Sequence, residues 1–149
     1  MNIKFFWAAL ILSAQVSFGF GASAQERFYV TGAAGQQTVL DRATGIMWAK
    51  EYETSKTWKD AMAYCEALDY GGYTDWRLPN VTELGSLVDV GQSNPASTFP
   101  DMPDYYFWSS SSDVGSTGSA WFVGFFDGYV YSSNKASYYY YARCARSGP

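Results

Sequence analysis

The C-terminal half of this sequence consists of short aromatic-rich segments in which side chains of different character alternate residue by residue. At 121–126 and again at 138–146, this alternation has the two-residue period of a β-strand. Asp127-Gly128, which lies after the first of these segments, is typical of a two-residue hairpin turn. Because successive side chains of a strand point to opposite faces, the four tyrosines at 138–141 cannot share one core. The pattern predicts an antiparallel meander with tyrosines on both faces.

Two short helices are predicted ahead of this meander. Thr57 is a suitable N-cap with Asp60 three residues later, and Asn80 with Glu83 repeats the arrangement. Apolar residues at helical spacing mark the buried faces: Trp58, Ala61, Met62, Cys65 and Leu68 in the first helix, and Val81, Leu84, Leu87 and Val88 in the second. Three prolines between 92 and 104 predict a long loop. Helices followed by a meander predict an α+β fold.

The N-terminus has the pattern of a signal peptide. Lys4 precedes an uncharged apolar run at 5–20, and Ala22-Ser23-Ala24 supplies small residues at a cleavage site. The run is short for a bilayer span and contains polar residues, which favours cleavage over an uncleaved membrane anchor and predicts no stable membrane insertion afterwards. We therefore predict a signal peptide at 1–24, a flexible lead-in at 25–40 with at most one short strand at 28–30, and a folded domain at 41–147.

Cys65 and Cys144 are the two cysteines of the chain. In an exported protein, two cysteines favour a single disulfide, because export leads into an oxidising compartment. Such a bridge would close a loop of roughly 80 residues and would stabilise the fold by about 4 kcal/mol in the chain-entropy model. Two unpaired buried thiols are the alternative interpretation.

The sequence contains no histidine. This excludes Ser-His-Asp and Cys-His catalytic groups, as well as histidine-ligated zinc and iron. Two cysteines alone cannot form a structural zinc site, so we predict no cofactor and no metal ligands. Calcium stays open because it needs only oxygen ligands, which Asp101, Asp104, Asp113 and Asp127 could offer. The alternative is that these loop carboxylates are simply solvated.

The charge balance argues against polyanionic partners. The chain carries a net charge of −4, and about −5 once Lys4 is removed with the signal peptide. A negative domain repels phosphate backbones, so nucleic-acid binding is not predicted.

Six motifs of the sequence resemble the C-terminal domain of the bacterial collagen-like adhesin Lcl, a family with a C-type-lectin-like fold. They are TGIMW at 44–48, TWKDA at 57–61, TDWRLP at 74–79, YFWSS at 106–110, AW at 120–121 with DG at 127–128, and RCAR at 143–146. Each motif alone is weak, but all six occur in the family's order. The resemblance covers about 41–146.

The resemblance implies a disulfide between the first helix and the last strand, a ligand-carrying long loop, and an extracellular binding domain. In the adhesin, the ligands are sulfated host glycans, and the domain forms a trimer beside a collagen-like stalk. This chain departs from that pattern, since it has no Gly-x-y repeat and is acidic. Asn94 rather than a Glu or Gln precedes Pro95, and no Trp-Asn-Asp follows, so the calcium motif of sugar-binding C-type lectins is incomplete.

The candidate binding residues lie on the meander. Aromatic rings pack on the C–H faces of sugars, and a tyrosine hydroxyl adds a hydrogen bond. The candidate ligand-binding residues are Asp127, Tyr129, Tyr131, Asn134, Tyr139, Tyr141 and Arg143. Alternation predicts that Tyr139, Tyr141 and Arg143 share one face of the last strand, with Tyr138 and Tyr140 on the other. Packing in the sheet core is the alternative for every one of these tyrosines.

Other aromatic and charged residues are predicted to be structural. The four tryptophans outside the hairpin and the leader are expected in the core: Trp48, Trp58, Trp76 and Trp108. Arg77 is expected to pair with Asp75 or Glu83.

The sequence thus predicts an exported bacterial adhesin-type module, not an enzyme, that binds a glycan or a cell-surface protein. The alternative is a structural subunit of an oligomer or other assembly, whose tyrosine-rich face packs on a partner protein. A glycan-acting enzyme is a third interpretation, although no motif of catalytic carboxylates supports it.

Overall fold

The computed structural model describes residues 26–149, so the predicted signal peptide at 1–24 lies outside the described residues. Nine strands and two helices follow in the order β1 (Phe28–Thr31), β2 (Thr38–Asp41), β3 (Ile46–Ala49), β4 (Glu53–Lys56), α1 (Trp58–Glu66), α2 (Val81–Gly85), β5 (Tyr106–Asp113), β6 (Ser116–Gly124), β7 (Val130–Asn134), β8 (Tyr140–Ala142) and β9 (Ala145–Ser147). The α+β class predicted from the sequence is confirmed.

The first and last strands lie in one four-stranded antiparallel sheet with the order β1-β2-β3-β9. Two of these strands, β1 and β2, fall within the segment 25–40, where we predicted a flexible lead-in with at most one short strand. The short strand predicted at 28–30 corresponds to β1, but β2 was not predicted, and its Val39 is fully buried opposite Trp48 of β3. The burial of Val39 anchors the N-terminal hairpin to the core.

The remaining strands form a five-stranded sheet with the order β4-β8-β5-β6-β7. Its neighbours are antiparallel except for β5 and β8, where Phe107 lies opposite Tyr141 in parallel pairing. The connection between β6 and β7 has five residues, 125–129, not the two-residue Asp127-Gly128 turn that we predicted. Phe125 leaves the ladder because its side chain is fully buried and its backbone bonds to Tyr105 and Ala96.

Both helices begin where their capping residues predict. Thr57 caps α1 and its side chain accepts from the backbone of Asp60. Asn80 caps α2 in a complete capping box with Glu83, and the same carboxylate forms two 2.7 Å bonds to Arg77. Among residues 26–149, no helix is long and apolar enough to cross a bilayer.

The five-stranded sheet separates two hydrophobic clusters, which we call the α1 side and the α2 side. Adjacent residues of one strand enter different clusters: Trp108 and Phe122 lie on the α1 side, whereas Phe107 and Val123 lie on the α2 side. Trp48, Trp76 and Trp108 are buried, and Trp58 is partly buried against the core, as predicted. The α2 side also receives Phe99 and Met102 from the long loop.

A disulfide joins Cys65 of α1 to Cys144, which lies immediately before β9. The predicted disulfide is therefore confirmed. Both half-cystines are buried in the cluster on the α1 side. The bond holds the helix against the sheet that it covers.

Candidate functional site: an exposed aromatic surface

On the α1 side of the five-stranded sheet, seven aromatic rings form one connected group, which we call the aromatic array. Its members are Tyr106, Phe122, Phe126, Tyr129, Tyr131, Tyr138 and Tyr140. Ring centroids are 5.9 Å apart from Tyr138 to Tyr140, 4.5 Å from Tyr140 to Phe122, and 5.4 Å from Phe122 to Tyr131. Tyr106 joins Phe126 to Phe122 through edge contacts. The array crosses the sheet from β8 to β7.

The array has a buried base and an exposed outer layer. Phe122 and Tyr140 are buried beneath the surface. By contrast, Tyr129 is 66% exposed and Tyr138 is 49% exposed, with Phe126 and Tyr131 also accessible. Because Tyr131 packs on the buried Phe122 and Tyr138 packs on the buried Tyr140, these two outer rings are held in place before any ligand arrives.

A carboxylate fixes one edge of the array. Asp127 Oδ2 accepts a 2.6 Å hydrogen bond from the Tyr131 hydroxyl, and its Oδ1 accepts a 3.0 Å bond from the backbone N–H of Tyr129. The hydrogen bond to Asp127, followed by desolvation, raises the pKa of Tyr131 to about 12. Tyr131 is therefore a neutral phenol at physiological pH, and its ring is tied to the turn that carries Tyr129.

Two glycines make room for this turn. A Cβ on Gly124 would lie 2.9 Å from Asp127 Oδ1 and 3.2 Å from the ring of Tyr106. Gly128 has a φ of +79°, which side-chain-bearing residues rarely adopt. The DG pair that the sequence analysis singled out is thus required here, although it belongs to a five-residue connection.

Tyr141 and Arg143 do not reach the aromatic array. Tyr141 is half-buried on the α2 side, where its ring stacks at 4.3 Å on Tyr105 and at 5.4 Å on Tyr52. Arg143 is completely buried, so the prediction that it faces a ligand is wrong. The reason is that Arg143 lies next to the disulfide-bonded Cys144 in the interior between β8 and β9.

The buried guanidinium of Arg143 is held by carbonyl groups and aromatic rings. Its Nη1 donates to the carbonyls of Ala49 and Lys50, and its Cζ lies 4.6 Å from the Phe99 ring centroid and 5.2 Å from that of Tyr52. Burial lowers the pKa of Arg143 to about 10, so it is still charged at neutral pH. Arg143 ties the long loop to the end of β3.

Tyr139 and Asn134 lie near the array without forming part of its ring network. Tyr139 is 58% exposed in the loop before β8, and no described aromatic ring packs on it. The Asn134 side-chain oxygen accepts from the backbone of Ala136 and Ser137. Asn134 therefore shapes the connection between β7 and β8.

Three of the four loop carboxylates that could have bound calcium have separate partners. Asp101 forms an ion pair with Lys50, Asp113 accepts from Ser132, and Asp127 accepts from Tyr131. Within the described part of the chain, no group of three or more His, Cys, Asp or Glu residues is arranged to hold a metal ion.

Sequence reasoning missed Tyr106 and Phe126. Tyr106 was assigned to a strand, and its pairing with Gly124 of β6 places its ring over a position that has no side chain. Residues 106 and 108 lie on the same face of the sheet as residues 122 and 124. This shared face can be recognised from the sequence only when the register between the two strands is known.

These features define a disulfide-bonded α+β domain that presents an ordered, solvent-accessible aromatic surface. The family model of the Lcl C-terminal domain matches residues 37–146, and the chain belongs to this family. The match begins just before β2 and ends in β9, so it includes the five-stranded sheet and the whole aromatic array, whereas β1 lies outside it. A comparison with curated proteins gave no match.

Proposed function

We propose that this protein is an exported adhesin-type module that binds glycans through the aromatic array. The observation that carries the proposal is the outer layer of tyrosine rings, exposed yet fixed on buried rings. Large exposed aromatic patches are uncommon on monomeric proteins and mark interaction sites. Membership of the Lcl C-terminal domain family supports an adhesin-like role.

The chemistry of the array suits sugars. A pyranose ring has an apolar C–H face and hydroxyls at its edge, and tyrosine offers a flat ring with a polar tip. The outer rings of Tyr129 and Tyr131 have centroids 6.4 Å apart, so neighbouring sugar residues of one oligosaccharide could each contact a ring. Catalysis is not part of the proposal. An enzymatic function would require that the protein turns over a glycan and that a single carboxylate substitution abolishes this turnover.

Binding of the oxidised chain to a glycan array, followed by calorimetry on the best glycan, tests the proposal. The double variant Tyr129→Ala with Tyr131→Ala removes two outer rings and should weaken binding at least about tenfold. Tyr139→Ala is the matched control, because Tyr139 is equally exposed but lies outside the ring network. Equal losses in both variants, or unchanged binding in a double variant shown to be folded by circular dichroism, would reject the array as the site.

We further propose that the domain has a C-type-lectin-like fold. The first and last strands lie in one sheet, a long loop follows α2, and a disulfide connects α1 to the residue before β9. These three features support the assignment. A crystal structure whose topology superposes on no C-type lectin would contradict it.

The proposal of export rests on the predicted signal peptide and on the disulfide, which needs an oxidising compartment. Mass spectrometry of the protein recovered from the periplasm or the medium should find an N-terminus at Gln25. Recovery of the full-length chain in the cytoplasm with free thiols would overturn this assignment.

A second function, packing against a partner protein, is favoured by one observation. Strand β7 lies at an edge of its sheet and is exposed and uncharged, with the sequence VYSSN. Exposed edge strands can pair with a strand of another chain. Light scattering distinguishes the two functions, since a stable oligomer that protects Tyr131 from modification would favour packing, and a monomer with an accessible Tyr131 would favour glycan binding.

A further inference from the structure

The polar groups at the edge of the aromatic array accept hydrogen bonds. The hydrogen of the Tyr131 hydroxyl is donated to Asp127, which leaves the phenolic oxygen as an acceptor. The Asp127 carboxylate has acceptor sites beyond those taken by Tyr131 and the backbone of Tyr129. The array edge therefore complements ligand groups that donate hydrogen bonds.

No lysine or arginine in the described part of the chain forms an ion pair with Asp127. Among residues 26–149, no arginine or lysine lies over a ring of the array, and the cation–π contacts occur elsewhere, including Lys135 over Trp58 and Arg146 over Tyr73. Other cations are paired with carboxylates: Arg27 with Asp41, Lys50 with Asp101, Arg77 with Glu83 and Arg146 with Asp75. The surface is thus both aromatic and negatively charged.

Such a surface disfavours an anionic ligand for two reasons. A sulfate or carboxylate group offers acceptors alone, so it cannot bond to the acceptors of Asp127 and Tyr131. Its charge is also repelled by Asp127 and by the negative faces of the aromatic rings. Neutral sugar hydroxyls can donate to both oxygens, while their C–H faces stack on the rings.

We propose that the aromatic array selects neutral, hydroxyl-rich oligosaccharides over sulfated or otherwise acidic forms of the same glycan, with Asp127 as the specificity-determining residue. This inference rests on the proposed glycan-binding function. It assigns the ligand class from the charge and hydrogen-bond polarity of the array.

The test is a panel of glucose, galactose and N-acetylglucosamine oligomers, each immobilised in an unsubstituted and an O-sulfated form, probed with the oxidised protein at low ionic strength. Low salt is used because salt screens exposed charges. The expected result is binding to unsubstituted members, with each sulfate near Asp127 weakening binding roughly fivefold. Preferential binding to sulfated members overturns the inference but leaves glycan binding standing. Binding to no member of the panel counts against the proposed function itself.

Two carboxylate variants then test the role of Asp127. In Asp127→Asn, one side-chain oxygen is kept as an acceptor, the other is replaced by a donating NH2 group, and the charge is removed, so the preference for the unsubstituted form should fall roughly fivefold. Asp113→Asn is the matched control, because Asp113 also accepts hydrogen bonds from a hydroxyl and from a backbone N–H in a turn of the same meander. Asp113 bonds to Ser132, whose side chain alternates with that of Tyr131 to the opposite face. An unchanged preference in Asp127→Asn, or an equal change in both variants, would overturn the assignment.

Discussion

The two sides of the five-stranded sheet use the same residue type to opposite effect. On the α2 side, Tyr141 is enclosed between Tyr105 and Tyr52 and packs edge-on against Phe107. On the α1 side, Tyr131 also packs on buried rings but leaves its outer face in contact with solvent. The fate of a tyrosine in this meander therefore depends on what covers its side of the sheet.

The covers differ in composition. The α2 side is closed by α2 together with the long loop, which contributes Phe99 and Met102, and by the buried guanidinium of Arg143. The α1 side is covered by the nine-residue helix Trp58–Glu66 and by the segment that follows it, which contributes Tyr70, Trp76 and Leu78. The exposed rings of the aromatic array are Phe126, Tyr129, Tyr131 and Tyr138, and none of them belongs to this cluster.

The largest expected effect concerns the bond that fixes α1 to its side of the sheet. The double variant Cys65→Ala with Cys144→Ala should lower the free energy of unfolding by about 4 kcal/mol, because the unfolded chain gains the freedom of the opened loop. Urea unfolding measures this. Wild-type protein unfolded in the presence of dithiothreitol is the control and should show a similar loss, and a loss below about 1 kcal/mol in both would show that packing alone holds α1.

The contrast between the two sides predicts unequal costs for removing a tyrosine ring. Tyr141→Ala should destabilise by about 2 kcal/mol, since it removes a ring packed on three others. Tyr129→Ala should change stability by less than about 0.5 kcal/mol, because Tyr129 is largely exposed. Both values come from urea midpoints at constant slope, and equal costs would remove the distinction between the sides.

A smaller effect is expected at the N-cap of α2, the helix that covers the α2 side of the sheet. Asn80→Ala removes the side-chain acceptor of the Glu83 backbone N–H and should cost about 1 kcal/mol. Thr82→Ala, on the exposed face of the same helix, is the control and should be nearly neutral. If thermal unfolding shows no difference between the two variants, the capping box does not stabilise the helix that covers the α2 side.

The smallest effect concerns the open side and the ionisation of Tyr131, whose folded-state pKa is about 12 against about 10 in an unfolded chain. A group with a raised folded-state pKa gives a stabilising contribution that is complete below pH 10 and is lost as the pH rises through 12. Ring-labelled tyrosine NMR should find Tyr131 titrating late, and Asp127→Asn should lower its pKa. A Tyr131 that titrates unchanged in this variant would contradict the observed hydrogen bond.

Local signals in the sequence predicted local structure well. The caps at Thr57 and Asn80 are confirmed because a cap depends on residues two or three positions apart. The pairing of Arg77 with Glu83 is confirmed for the same reason, since both flank the start of α2. The disulfide followed from the chemistry of two cysteines in a chain that is predicted to be exported.

Features that depend on distant contacts were not predictable. Strand β2, which was not predicted, is short, and its Val39 is buried opposite Trp48 of β3. Phe125 widens the turn before Asp127 because it bonds to Ala96 and Tyr105, which are far away in sequence. Alternation separated the tyrosines into two sets. It could not show that Tyr141 lies on the α2 side of the sheet, or that Tyr131 lies on the α1 side and stays exposed.

The position of the disulfide has a consequence for what happens when a protease cuts the chain. Cys65 and Cys144 are separated by 79 positions in the sequence. The segment between them includes the long loop and every strand that carries the aromatic array. A protease that cuts the backbone once anywhere in this interval therefore leaves two pieces that are still one covalent molecule. Nicked protein would migrate as intact chain on a gel without reductant and as two fragments with it.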